Sequence, residues 1–200
     1  MGAYEYQFPP VNITTQPSNQ SVCELAANTS FEVVASGTGL TYLWQISKDG
    51  GINFNDSTGA TNNTLLIATA VIGMNGYQYR CIVNGDMVEP DTTDVAMLTV
   101  HSLPTANAGT DVTVCTGQSV TLAASGGTSY AWSGGVTNGT PFTPASTNSY
   151  TVTATDVNGC TGADAVTVTV NSLPTANAGS DVAVCSGQGV TLTADRKSVV

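Results

Sequence analysis

Apolar and polar residues alternate in short runs along most of the chain. Ala165-Val166-Thr167-Val168-Thr169-Val170 sets valines against threonine hydroxyls. Asp111-Val112-Thr113-Val114, Ser119-Val120-Thr121-Leu122 and Tyr150-Thr151-Val152-Thr153-Ala154 follow the same rule. A period of two places alternate side chains on opposite faces of a strand. No period of 3.6 persists over a helix-length window. Gly126-Gly127, Gly134-Gly135, Asn138-Gly139 and Asn158-Gly159 interrupt the pattern at short spacing. Many short strands with frequent turn signals predict an all-β fold built as antiparallel β-sandwiches.

One stretch is copied. Ser102–Cys115 returns almost unchanged as Ser172–Cys185, an offset of 70 residues, and 18 of 23 positions match from Ser102–Ala124 to Ser172–Ala194. A unit of this length repeated head to tail is a domain in an array, and arrays serve reach and display more often than chemistry. The second copy stops after about a third of its length, so the chain is expected to be a fragment. Its last six residues, Asp195-Arg196-Lys197-Ser198-Val199-Val200, depart from the first copy and hold two of the four Lys and Arg residues. They match what a common sequencing adapter spells when translated, and are expected to be an artefact. Met1–Gln7 has neither a basic nor an apolar region of the kind a signal peptide needs.

Two complete units share a grammar. Thr41-Tyr42-Leu43-Trp44 in the first matches Ser129-Tyr130-Ala131-Trp132 in the second, and Tyr79-Arg80-Cys81 matches Tyr150-Thr151-Val152. A Trp on one strand, and a Tyr two residues before an inward position on another, resemble the immunoglobulin-like sandwich. Trp44, Tyr79, Trp132 and Tyr150 are accordingly expected in the cores of tandem immunoglobulin-like sandwiches. Tyr42–Gly51 followed by Met74–Cys81 is similar to the bacterial Ig-like domains of large secreted proteins. Residues 102–171 resemble the shorter Ig/PKD-like repeats that follow such domains, often ahead of a type IX secretion sorting domain. Met1–Gln7 resembles the close of a secreted parallel β-helix domain. These resemblances imply five segments: 1–8, a remnant of an upstream domain resembling a β-helix; 9–101, an Ig-like domain; 102–171, an Ig/PKD-like repeat; 172–194, the start of a second copy; and 195–200, the expected artefact. They imply non-catalytic spacer, display or adhesion modules on a secreted or cell-surface bacterial protein, whose partner is an extracellular protein or a glycan. The alternative is a carbohydrate-binding accessory module of a secreted β-helix enzyme.

Charge narrows the partners. Only 9% of residues are charged, against roughly 25% in ordinary soluble domains, and the net charge is −10. Lys48 and Arg80 are the only Lys or Arg before the terminal hexapeptide. With no basic patch to release counterions, nucleic acid is excluded as a partner. No apolar run reaches the 18 residues expected of a membrane-spanning helix.

Five cysteines, Cys23, Cys81, Cys115, Cys160 and Cys185, form no CxxC pair, and the chain has one histidine. Zinc is disfavoured, and disulfides in an oxidising compartment are the natural account. In the antibody pattern a cysteine would stand at Val33, opposite Cys81. Cys23 instead lies earlier, at the place matching Cys115, while Cys160 sits in the turn Asp156-Val157-Asn158-Gly159-Cys160. A Cys115–Cys160 bridge from edge strand to turn is favoured, and it would add roughly 4 kcal/mol to a marginal domain. Cys23 and Cys81 either bridge or remain two unpaired thiols. Cys185 is expected to await a partner one repeat beyond Cys160.

The search for chemistry yields little. His101 lies at a domain junction, where a solvated linker residue is the simpler account than a general base. Asp156, Asn158 and Asp164 gather hard oxygen ligands at one hairpin end and make a weak calcium candidate; the competing account is an Asn-Gly turn that Asp156 caps through its own backbone. Phe54, Tyr77 and Phe142 are the aromatic residues left over for a sugar platform, and they are scattered. Asp56-Ser57-Thr58 and Asp91-Thr92-Thr93 are similar to bacterial O-glycosylation sites. No catalytic residue and no cofactor is expected.

Overall fold

The computed structural model describes residues 9–86, 88–176 and 178–192. The N-terminal remnant (1–8) and the terminal hexapeptide (195–200) lie outside the described residues. The chain divides into two compact units. One takes the chain up to Thr105 together with Thr155–Gly162, and the other takes Ala106–Ala154 and the chain from Ala163. The division thus falls just past Pro104, and the tip of the last hairpin belongs with the first unit, a departure from segment limits of 9–101 and 102–171.

In the first unit, β1 (Asn12–Thr15), β2 (Gln20–Cys23), β3 (Ala27–Glu32), β4 (Val34–Ser36), β5 (Thr41–Ser47), β6 (Asn55–Asp56), β7 (Thr64–Thr69), β8 (Gln78–Gly85), β9 (Val88–Thr92) and β10 (Ala96–His101) follow in order. One sheet runs β2-β10-β8-β5-β6, with β9 continuing the pairing along β8. The other is built from the β3-β7 and β1-β4 pairs. Val33 joins β3 to β4 and keeps the ladder going by donating its amide to the carbonyl of Asn63 at 2.9 Å. β2 lies parallel to β10, pairing Cys23 with His101, whereas β5, β8 and β10 are antiparallel.

Alternation fills the space between the sheets. Tyr79, Cys81 and Val83 of β8 point inward with Ala96, Leu98 and Val100 of β10, against Phe31, Val33 and Leu65 of the facing layer. Trp44 is fully buried and donates its indole N–H to the Asn62 carbonyl at 2.9 Å. Phe31 and Tyr79 pack with ring centroids 4.7 Å apart.

The second unit repeats the plan with fewer strands: β11 (Val112–Cys115), β12 (Val120–Thr121), β13 (Ser129–Trp132), β14 (Pro141–Phe142), β15 (Asn148–Thr155) and β16 (Thr161–Asn171). Its main sheet is β11-β16-β15-β13, faced by the β12-β14 pair. β11 lies parallel to β16 and pairs Cys115 with Asn171, the counterpart of Cys23 with His101. Trp132, Tyr150, Val152, Val166 and Val168 form the core. Each buried indole removes roughly 150–250 Å² from water, about 4–6 kcal/mol before entropy. Residues 172–176 and 178–192 are exposed and form no strand, although they copy the opening of the second unit.

Each unit has an edge strand, β2 or β11, parallel to its closing one in an otherwise antiparallel two-layer fold, and a buried Trp and Tyr between the layers. These features define two immunoglobulin-like β-sandwiches.

Candidate functional site

Chemically distinctive side chains gather where β2 and β10 end. The parallel register puts Cys23 beside His101 and sets Ser21 on the same face as Cys23. Ser21 Oγ lies 2.9 Å from His101 Nε2. The backbone then turns, with the Glu24 amide donating to the His101 carbonyl at 2.7 Å and the Ala26 amide to the Cys23 carbonyl at 3.1 Å.

Against this end stands the tip of the β15–β16 hairpin, part of the same compact unit. Its shape is local. Asp156 Oδ1 accepts the amides of Asn158 at 2.9 Å and Cys160 at 2.8 Å, and Gly159 takes a φ of 82° that few side chains tolerate. The turn fixes Cys160, which is almost fully buried and bonded to Cys23 across a sequence separation of 137. Burial opposes ionisation of Asp156. The amides of Cys160 and Asn158, the Asn158 side chain and the nearby charge of His101 outweigh it and hold the carboxyl below its usual range.

The favoured Cys115–Cys160 bridge is therefore corrected, and so is Cys23–Cys81. Cys160 is bonded to Cys23. Cys115 and Cys185 are exposed free thiols, and Cys81 is a buried one. The reason lies in the topology: the hairpin tip packs with the first unit, so its sulfur meets the end of β2 and not the end of β11. Cys81 faces inward among Trp44, Val33 and Leu98. Its amide donates to Thr93 Oγ1 at 2.9 Å, which satisfies the ladder where β9 gives way to β10. Burial, only partly offset by a hydrogen bond from the Leu43 backbone, pushes its thiol up to about 11, so it is an inert core residue.

Ser21, His101 and Asp156 have the composition of a hydrolytic triad but not its wiring. A triad needs the carboxylate bonded to the second imidazole nitrogen. Here Asp156 is engaged by its own turn and reaches His101 through charge alone.

The calcium candidate separates as well. Asp156 and Asn158 are bonded to each other's turn. Asp164 Oδ2 accepts the Ala108 amide at 2.8 Å, and this bond, with one from the Ala165 amide, lowers its pKa against a smaller effect of burial. Among the described residues no group of three or more His, Cys, Asp or Glu is placed to hold a metal ion. The leftover aromatics are each engaged. Arg80 lies over Phe54, 4.1 Å from its centroid, and Lys48 lies 5.6 Å from that of Tyr77. Phe142 packs edge-on against Tyr150 at 5.1 Å. Asn62, which no sequence motif marks, and Asn138, expected only as a turn residue, hold the two indoles. Asn138 accepts from Trp132 through its side-chain oxygen at 3.0 Å and from the Ala124 amide at 2.7 Å. The spacing gave no common signal: Asn138 lies 6 residues after its Trp, Asn62 lies 18 after its own.

A family model described as "Domain of unknown function (DUF8696)" matches residues 12–102, the span of the first sandwich. No curated protein matches the chain. Among solved structures it is similar to an I-band fragment of titin, at 15% identity and a TM-score of 0.46, covering 83% of this chain and 67% of that one. It is also similar to Sidekick-1 immunoglobulin domains 1–5, at 16% and 0.44, covering 84% and 40%. A third similar structure is the N-terminal Ig1-2 module of a Drosophila receptor protein tyrosine phosphatase, at 17% and 0.37, covering 82% and 100%. The chain spans two thirds of the titin fragment and two fifths of the Sidekick-1 fragment. No helix among the described residues is long and apolar enough to cross a membrane.

Proposed function

We propose that these sandwiches are spacer and display modules of a large secreted or surface-attached bacterial protein, and that they work by setting distance and direction, without catalysis. In this reading the second unit is a PKD-like repeat, the export route is type IX secretion, and the partner is an extracellular protein or a glycan. The observation that carries the proposal is the Cys23–Cys160 bond, which bypasses the Pro-containing linker His101-Ser102-Leu103-Pro104 and ties together positions 137 residues apart. A bond so placed suits a module that bears load, and it suits an oxidising compartment.

Pulling single molecules by their ends tests it. In the oxidised chain the segment between Cys23 and Cys160 stays short. Reduction then releases an extra contour length of about 450–490 Å, from 137 residues at about 3.3–3.6 Å each. Full extension without reductant would overturn the load-bearing role, and selective retention on a glycan array would move the reading to a carbohydrate-binding accessory module.

A further inference from the structure

We propose that Cys115 is a covalent docking point for the hairpin cysteine of a following copy of the repeat, so that Cys23–Cys160 is the first rung of a ladder of disulfides. The proposal rests on the tandem-module reading and goes beyond it.

Cys115 and Cys23 occupy the same place in their sandwiches. Each ends an edge strand lying parallel to the closing strand, paired with the last residue of that strand: His101 for Cys23, Asn171 for Cys115. Each is followed by an amide that donates to that residue's carbonyl, Glu24 to His101 at 2.7 Å and Thr116 to Asn171 at 2.9 Å. Each opens a turn closed on its own carbonyl, by Ala26 at 3.1 Å and by Gln118 at 3.0 Å. The difference is the sulfur. Cys23 is bonded to a hairpin cysteine, whereas Cys115 is an exposed free thiol. Its own hairpin cysteine is already committed to Cys23, so its partner must come from another hairpin.

That hairpin is defined by Asp156-Val157-Asn158-Gly159-Cys160, whose backbone is held by Asp156. Local bonding of this kind recurs wherever the repeat recurs, and residues 172–194 repeat its opening at 18 of 23 positions. The occupant is therefore the Thr155–Gly162 hairpin of a second copy. Asn171 stands in the place of His101, so this rung lacks the imidazole charge that acts on Asp156. The bond forms by thiol–disulfide exchange with a small disulfide oxidant. Two thiols give one protein disulfide, and the oxidant leaves as two small thiols carrying the two protons and two electrons.

The test inserts a second copy of residues 102–171 between Asn171 and Ser172 of the full chain, oxidised with a small disulfide and mapped by unreduced peptide mass spectrometry. Cys115 is expected to be joined to the hairpin cysteine of the inserted copy, and its native alkylation to fall at least tenfold. The Cys23–Cys160 peptide is the internal check of folding. Replacing the inserted hairpin cysteine by serine restores alkylation of Cys115. An alkylatable Cys115 beside an intact Cys23–Cys160 bond, Cys115 joined to Cys160, or no restoration by the serine would each overturn the ladder. The hidden length expected from the present chain does not depend on that result, so the two readings fail separately.

Discussion

Leu25 is the residue whose conformation most plainly conflicts with its side chain. It has a φ of 66° and is 62% exposed, so it takes the left-handed region with little burial in return. The matching positions are Gly117, with φ 85°, and Gly187, with φ 88°. All three are the third residue of the turn that the equivalent cysteine opens, where only glycine is unstrained. Leu25→Gly is expected to stabilise the first unit by about 1 kcal/mol, and Gly117→Leu to destabilise the second by about 1–2 kcal/mol, read from urea unfolding. The two indoles give a second contrast. Trp44 bonds a backbone carbonyl and Trp132 a side-chain oxygen. Asn62→Ala should therefore change stability by less than about 0.5 kcal/mol. Asn138→Ala, which strands the indole and the Ala124 amide, should cost about 1–3 kcal/mol. Equal losses in the two variants would show that this division is wrong. Trp and Tyr spacing announced the core positions in the sequence. The acceptors did not announce themselves, because an acceptor is chosen by where a loop returns in space.

Elements were legible to the extent that alternation sets a face. Ala96, Leu98 and Val100 of β10 and Val166 and Val168 of β16 all point inward, as period two requires. What period two cannot say is which strand lies alongside. Nothing in the pattern of β2 or β11 distinguishes a parallel partner at the far end of the domain from a neighbouring antiparallel one. Turns carry more local information. Between β5 and β6, Asp49 accepts the amides of Ile52 and Asn53, the Asn53 side chain and the Ser47 hydroxyl. The Asn53 amide leads, the Ser47 and Asn53 side chains follow, burial opposes slightly and the Ile52 amide adds a little. Together they lower its pKa from 3.8 to about 2. A carboxyl with a depressed folded pKa binds fewer protons than the unfolded chain, so its contribution is complete above about pH 4 and is lost as pH falls toward 2. The first unit should lose stability across that window, and Asp49→Asn should flatten the loss. An unchanged acid profile in the variant would place the acid sensitivity elsewhere.

At the scale of the whole molecule the cysteines decide most. Native alkylation is expected to modify Cys115 and Cys185 quickly and to spare Cys81 until the chain unfolds. Cys23 and Cys160 should react only after reduction. Mass mapping checks each site, and rapid reaction of Cys160 would remove the bond on which the load-bearing reading stands. The sequence showed five cysteines and their equivalence between repeats, yet it pointed to a bridge inside one repeat. Closeness in the repeat is a one-dimensional measure, whereas bonding follows which strand end the hairpin tip packs against. The same limit appears in the copied segment. The turn opened by the cysteine closes in all three places, by Ala26 onto Cys23, Gln118 onto Cys115 and Gln188 onto Cys185. The strand before it forms at Gln20–Cys23 and Val112–Cys115, but residues 182–185 form none. By itself, then, the sequence determined the turns, the inward faces and the aromatic core, because each depends on bonds or burial patterns within a few residues. Only the tertiary structure decided strand partners and the Cys23–Cys160 pair. A strand's amides and a cysteine's sulfur are satisfied by whatever the rest of the chain places beside them.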